Sequence, residues 1–333
     1  MLFKNIIMDI LSAYGPSGRE ETVSDVIKTY VAPLADEVYT DKLGNLIAHK
    51  KGAGKKVMLS AHMDQIGLIV TDIDDKGFLR ISNVGGVNAP LTVGRPVKFD
   101  NGTKGVTYYE TKDKKLGDAA LKDMFIDVGA KTRAQAEMLV NIGDVAVYDT
   151  PFVEMGRRLS SGAMDNRICC AIIVEAMKEL STDHDVYAVF TTQEEVGLRG
   201  AMPAAYALEP DFNLNLDVTL CGDTPECGRM SVSLGKGPTV KLMDSSVIVP
   251  MSVRKFMQGV AERNGIPYQN EVLYGGGTDT AAAQRSRAGV LAGCISIPCR
   301  YVHSPVETVD MDDVENAVKF VRAILAEKEL PTV

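Results

Sequence analysis

The chain has no tryptophan, only four histidines, and no Cys-x-x-Cys pair among its six cysteines. Without paired cysteines a zinc ribbon or thioredoxin-type redox centre is excluded, and six scattered thiols in 333 residues build no dense disulfide framework. The thiols read as reduced and mostly structural, which fits a cytoplasmic protein. Apolar stretches are too short or too interrupted to cross a bilayer. The N-terminus, Met1 to Ala13, is broken by Lys4 and Asp9 and is followed by no small-residue cleavage site, so it reads as an amphipathic helix and no export signal. Lysine and arginine do not cluster, and the formal net charge is -8. Neither nucleic acid nor a membrane surface is an expected partner. Internal repeats and low-complexity tracts are also missing.

What is present is an ordinary globular composition, long enough for one large core with an insertion or for two domains. Ser17 to Glu20 has capping-box spacing, and Val23, Val26, Ile27 and Tyr30 then recur at helical intervals. Strand-like runs follow at 37–40, 45–49 and 57–62, with a turn at Lys51 to Gly54. Between Ile66 and Phe152 the texture changes to short alternating runs split by Gly, Asp and Asn, as in a small all-β insertion. Helices and buried strands then return at 167–179, 186–192, 212–217, 253–264 and 312–329. Strands alternating with helices on both sides of the insert predict an α/β layered core, discontinuous over 1–65 and 153–333, around an inserted unit at 66–152.

Acidic and imidazole side chains gather where predicted strands meet loops. Glu194 and Glu195 follow an apolar run, and neighbouring residues at a strand end point opposite ways, so one can ligate a metal while the other faces substrate. His62 and Asp64 are two apart, so the carboxylate can hold the imidazole's other nitrogen. A lone histidine after a strand is more often a core or surface residue; the companions Asp165, Asp217 and His303 shift that balance. Imidazole plus carboxylate suits zinc, cobalt or manganese, and a bridging carboxylate allows two cations to share a water. His49 and His184 have no acidic motif beside them and read as surface or structural.

Six segments together resemble the M42 family of dinuclear metallo-aminopeptidases, the glutamyl, deblocking and tetrahedral type: SAHMDQIG at 60–67, SGAMDNR at 161–167, TTQEEVGLRGA at 191–201, LDVT at 216–219, GGGTDT at 275–280 and YVHSPVE at 301–307. They span most of the chain in family order. The resemblance implies a zinc-peptidase-type three-layer α/β/α catalytic domain with the inserted β unit serving dimerisation and higher assembly, up to a dodecamer. It also implies two divalent cations per subunit, zinc or cobalt, with manganese as the alternative. Asp165 would bridge them, His62 and Asp217 would complete one site, and Glu195 and His303 the other. Glu194 would be the general base and Asp64 would orient His62, for removal of the N-terminal residue from short peptides. Cys169-Cys170 departs from the glycine-cysteine pair usual in the family.

Among weaker signals, Gly275 to Asp279 reads either as pocket lining or as a tight turn. Arg167 is a candidate partner of the bridging carboxylate, Arg300 and Tyr301 candidate substrate contacts, and Met251 and Met257 core filling. Competing functions are a metal-dependent deacylase or carboxypeptidase, a glycosidase using two of the carboxylates, and a non-catalytic scaffold. An intact Glu194 argues against the last.

Overall fold

A computed structural model of the chain describes residues 3–112 and 115–332. Its frame is a mixed sheet whose middle is parallel: Asp185–Thr191, Lys56–His62, Phe212–Leu220 and Leu291–Arg300 lie side by side in that order. Strand Leu46–Lys50 and then Glu37–Thr40 extend one edge; Glu307–Asp310, Arg158–Ser161 and Val153–Met155 extend the other. The central strands are buried almost from end to end because helices cover both faces, and strand Phe212–Leu220 buries Asn213, Asn215, Asp217 and Thr219 along with its apolar residues. Helices Phe3–Ser12, Glu21–Val31, Met164–Met177 and Met311–Ala326 bury one face through the main core, including Ile10, Ile27, Ile172 and Phe320. On the opposite face Ala204, Ala205 and Leu208 of helix Ala201–Leu208 and Ala283 of helix Asp279–Gln284 pack against Ile47, Met58 and Val189.

Helix Met311–Ala326 shows how sequence sets these elements. Asp310 caps it by accepting from the Asp312 N–H, a cap worth about 1 kcal/mol, and Val314, Ala317, Val321 and Ile324 then recur at helical spacing and are buried.

Inside this frame, strands Gly67–Ile73, Leu79–Val84, Met124–Asp127, Lys104–Tyr109, Pro96–Lys98 and Val145–Tyr148 close into a barrel. It has its own core of Leu68, Val70, Ile81, Val97, Phe99 and Ile126. Closure leaves no open sheet edge. The expected all-β texture is interrupted by helices Ala89–Thr92 and Arg133–Glu137, each capped by its own Asn88 or Thr132.

Several local expectations are corrected. Ser17 and Glu20 form no capping box: the helix starts at Glu21 without a side-chain cap, because the Ser17 hydroxyl donates to Asp64 and Glu20 accepts from the Gly18 and Gln193 N–H groups. The strand through Asp217 does not stop there but runs on to Leu220. Met251, at a helix N-terminus, is 57% exposed and no core residue, whereas Met257 is fully buried. The N-terminal helix is present from Phe3, the first two residues lying outside those described. Among the described residues no helix is long and apolar enough to cross a membrane.

Candidate metal centre

In open sheets with parallel strands, ligands bind beyond the carboxyl ends of those strands. Here the four parallel strands deliver His62 at the end of one, Asp217 near the end of a second, Glu194 and Glu195 just past a third, and His303 just past the fourth. Asp165 enters from the first turn of helix Met164–Met177, which follows Arg158–Ser161. All six sequence-predicted residues therefore converge.

Asp165 lies at the middle. Its Oδ1 is 3.1 Å from His62 Nε2 and its Oδ2 is 3.3 Å from His303 Nε2, so each carboxylate oxygen faces a different imidazole. Glu195 Oε2 is 3.2 Å from His303 Nε2, and Asp217 Oδ1 and Glu194 Oε2 are 3.8 and 3.9 Å from His62 Nε2. Strand Asp185–Thr191 ends before the glutamates, and Gln193 takes a left-handed φ of 54°. The pair consequently sits in a loop with both carboxylates turned into the site, not on opposite faces of a strand.

Asp64 ties this loop to His62. The Asp64 carboxylate accepts from the Glu194 and Glu195 N–H groups at 3.1 and 3.2 Å and from the Ser17 hydroxyl at 2.6 Å, and lies 3.4 Å from His62 Nδ1. Glu307, given no role by sequence reasoning, does the same on the other side by accepting from the Asp165 and His303 N–H groups. Its contacts are to backbone atoms, which leave no trace in residue type. Gly86 was missed as well: a Cβ there would lie 2.5 Å from His303 Nδ1, so only glycine lets this barrel-side segment approach. The adjacent glycines Gly85 and Gly86 were the available signal.

Other expectations fail. Arg167 does not touch Asp165; its guanidinium donates to the carbonyls of Met63, Ile10, Ala13 and Gly15. Arg300 is held by Asp223, and the cavity wall beside the centre runs through Val302 instead of Tyr301. His49 and His184 are structural, as expected: His49 lies 2.6 Å from Asp185 and stacks on Tyr187, and His184 meets the Glu327 carbonyl. The glycines 275–277 and Thr278 do line the cavity.

The charge balance suits bound cations. Asp165, Glu194, Glu195 and Asp217 bring four carboxylates into a largely buried space with two imidazoles. Even with both rings protonated an excess of negative charge would remain, and burying unbalanced charge is costly. Two divalent cations match four carboxylates when the imidazoles are neutral, the form in which histidine ligates metal. Donor type and number therefore fit two cations, and carboxylates and imidazole can be grouped around candidate positions within ligand reach of one another.

Proton affinities respond to the same crowding. Burial pushes Glu194 well above the usual carboxylate range, opposed by His62 and reinforced by Asp217 and Asp279. Burial opposes protonation of His303, but Asp165 and Glu195 outweigh it and push its pKa up to about 12. Burial also lifts Glu20 to about 7 and Asp279 to about 6. A carboxyl raised by folding costs stability progressively as pH climbs from its unfolded to its folded pKa, and a raised histidine gives stability that fades above its unfolded value. Both effects have one sign. Metal-free protein is therefore expected to melt lower at about pH 8 than at about pH 5. Thermal melts of chelated protein check this, and an equal or higher midpoint at the upper pH contradicts it.

Comparison with known proteins agrees with this geometry. The M42 glutamyl aminopeptidase profile matches residues 44–320. The chain belongs to that family. It is 51% identical over 306 residues to a putative aminopeptidase of Acetivibrio thermocellus, covering 92% of this chain and 93% of that one. A lysyl aminopeptidase of Pyrococcus furiosus is 36% identical over 338 residues, with 97% and 96% covered. Among solved structures, the TET1 peptidase of Pyrococcus horikoshii, which can assemble into a tetrahedron or a large octahedral shell, superposes with a TM-score of 0.88 at 33% identity, covering 98% of this chain and 100% of that one. This M42 chain is thus a metallo-aminopeptidase with a metal-binding His/Asp/Glu centre.

Proposed function

We propose that the chain removes the N-terminal residue of short peptides, with two divalent cations held on either side of Asp165. The observation that carries this reading is that the two oxygens of Asp165 face His62 and His303 separately. His62 falls within reach of two carboxylate groupings, one with Glu194 and Asp217 and one with Asp165 and Glu195. One imidazole nitrogen has one lone pair, so His62 serves a single cation and the second needs His303. His62, Asp165 and Asp217 then form one site, and Asp165, Glu195 and His303 the other. Imidazole with carboxylate favours zinc or cobalt, with manganese as the alternative.

When bound, the cation pair supplies a water of lowered pKa and a polarised peptide carbonyl. Glu194, left without a ligand role, accepts the proton of the attacking water and returns it to the leaving amine. Asp64 keeps His62 aimed from its Nδ1 side, through its carbonyl at 3.2 Å and its carboxylate at 3.4 Å, while the carboxylate fixes the Glu194 and Glu195 backbone.

Assembly belongs to the same proposal. The unit at 66–152 exposes the apolar side chains Val106, Tyr108, Met138 and Ile142, which pairing of two copies would cover. The TET1 peptidase of Pyrococcus horikoshii, which can assemble into a tetrahedron, supports a closed shell of such pairs, with a dodecamer as the expected form. A cytoplasmic location rests on the cysteine usage of the sequence.

Peptides with a free and an N-acetylated terminus separate exopeptidase from general hydrolase. Acetylation is expected to lower kcat/KM by about 10⁴-fold, as when a site built for a polar group meets an analogue without it. Equal rates on both would reject the aminopeptidase reading.

A further inference from the structure

The cavity that holds the centre has a volume of about 590 Å³ and extends beyond the six metal-facing residues to a second wall. Side chains of Leu198, Val218, Leu220, Leu273 and Val302 contribute to that wall, with the backbone of Gly275 to Gly277 beside them. Its hydroxyls are mostly committed. Ser245 Oγ donates to the Gly276 carbonyl, and Ser246 Oγ donates to Asp244 Oδ1 at 2.8 Å. Thr278 Oγ1 lies 2.9 Å from Thr280 Oγ1 and 3.5 Å from Asp244 Oδ2, so its one proton has an acceptor within the protein.

Asp244 itself is turned away from the cavity. It is buried, accepts from the Ser246 and Val247 N–H groups, and lies 3.7 Å from the Lys241 ammonium, which is also paired with Glu271. The charged groups behind this wall are therefore matched with each other. Thr219 Oγ1 is the wall's unpartnered buried hydroxyl, two residues past Asp217 on the same strand. One neutral hydroxyl does not compensate a full charge. Among the described lining residues, the six metal-facing side chains are the only ionisable ones.

From this we infer that the cavity selects peptides whose first side chain is uncharged and aliphatic, of the leucine or methionine kind, and discriminates against both acidic and basic first residues. A carboxylate side chain would meet no lysine or arginine on this wall, and an ammonium would meet no free carboxylate. Either would lose hydration without gaining a partner, while a leucine-sized side chain exchanges water for the apolar wall. The inference rests on the aminopeptidase reading and specifies its substrate class.

The test uses the full-length chain loaded with its metal and a panel of aminoacyl fluorogenic amides carrying Leu, Met, Glu and Lys. Expected values of kcat/KM for Leu and Met exceed those for Glu and Lys by about a hundredfold or more. A Glu or Lys substrate equal to or better than Leu would overturn the inference while leaving the aminopeptidase reading intact. Leu220 is half-exposed on the wall, so Leu220→Lys adds a cation with little packing cost and is expected to raise the Glu-to-Leu ratio by about tenfold or more. An unchanged ratio would remove the wall from side-chain recognition. Protection of the metal-loaded protein against heat by free leucine, glutamate or lysine gives an answer that does not need turnover. If no amide is cleaved the aminopeptidase reading fails, and leucine protecting best would still support the selectivity; glutamate or lysine protecting as well as leucine, or no protection by any of the three, would overturn it.

Discussion

Glu194→Gln is expected to lower kcat by about 10²- to 10⁴-fold while the protein keeps both cations, the range a positioned acid-base group contributes. The amide matches the carboxylate in size, so the buried loop around it has no reason to repack. Its N–H to Asp64 is a backbone contact and survives the change. What is lost is proton affinity alone. The metal content decides between two placements of this residue, since Glu194 Oε2 stands close enough to His62 and Asp217 to be counted with them as a ligand. If it ligates, the glutamine variant loses metal together with rate; as the proton carrier proposed here, it loses rate alone. Metal analysis beside steady-state kinetics of the purified variant makes the distinction. Activity within tenfold of the parent would remove Glu194 from the chemistry altogether.

Asp165→Asn is expected to have the larger effect on metal. Asn keeps the shape and the backbone N–H to Glu307, but one of its two ends becomes an NH₂ donor. A donor cannot ligate a cation, so one of the two positions that His62 and His303 mark loses its shared oxygen. The negative charge that both cations share is lost too. Bound metal should fall to one per chain or fewer, with turnover reduced by about 10⁴-fold or more, beyond the loss of an acid-base group alone. Two retained cations, or substantial turnover, would mean that Asp165 does not bridge.

The fold and the centre were legible to different depths in the sequence. His62, Asp165, Glu194, Glu195, Asp217 and His303 stood out because each is a polar residue beside an apolar strand or helix, and parallel strands bring their ends together. The alternation of strands and helices, and the change of texture over the barrel, are likewise periodic signals along the chain. What stayed hidden depends on partners distant in sequence. Ser17 and Glu20 have local capping-box spacing, yet Asp64 and Gln193 take their side chains. Arg167 sits two residues from Asp165, but the end of helix Phe3–Ser12 leaves carbonyls of Ile10 and Ala13 without helical partners, and a guanidinium is well matched to them. His49 finds Asp185 across paired strands and not along the chain. Glu307 works through backbone N–H groups, which every residue type except proline offers, so no motif could point to their donors.

Anomalous diffraction from crystals of the metal-loaded protein, recorded at the absorption edge of the bound metal, tests the central claim most directly. Two peaks per chain are predicted, one beside His62 and Asp217, the other beside Glu195 and His303, with Asp165 between them. A single peak, or a pair lying away from Asp165, would contradict the account.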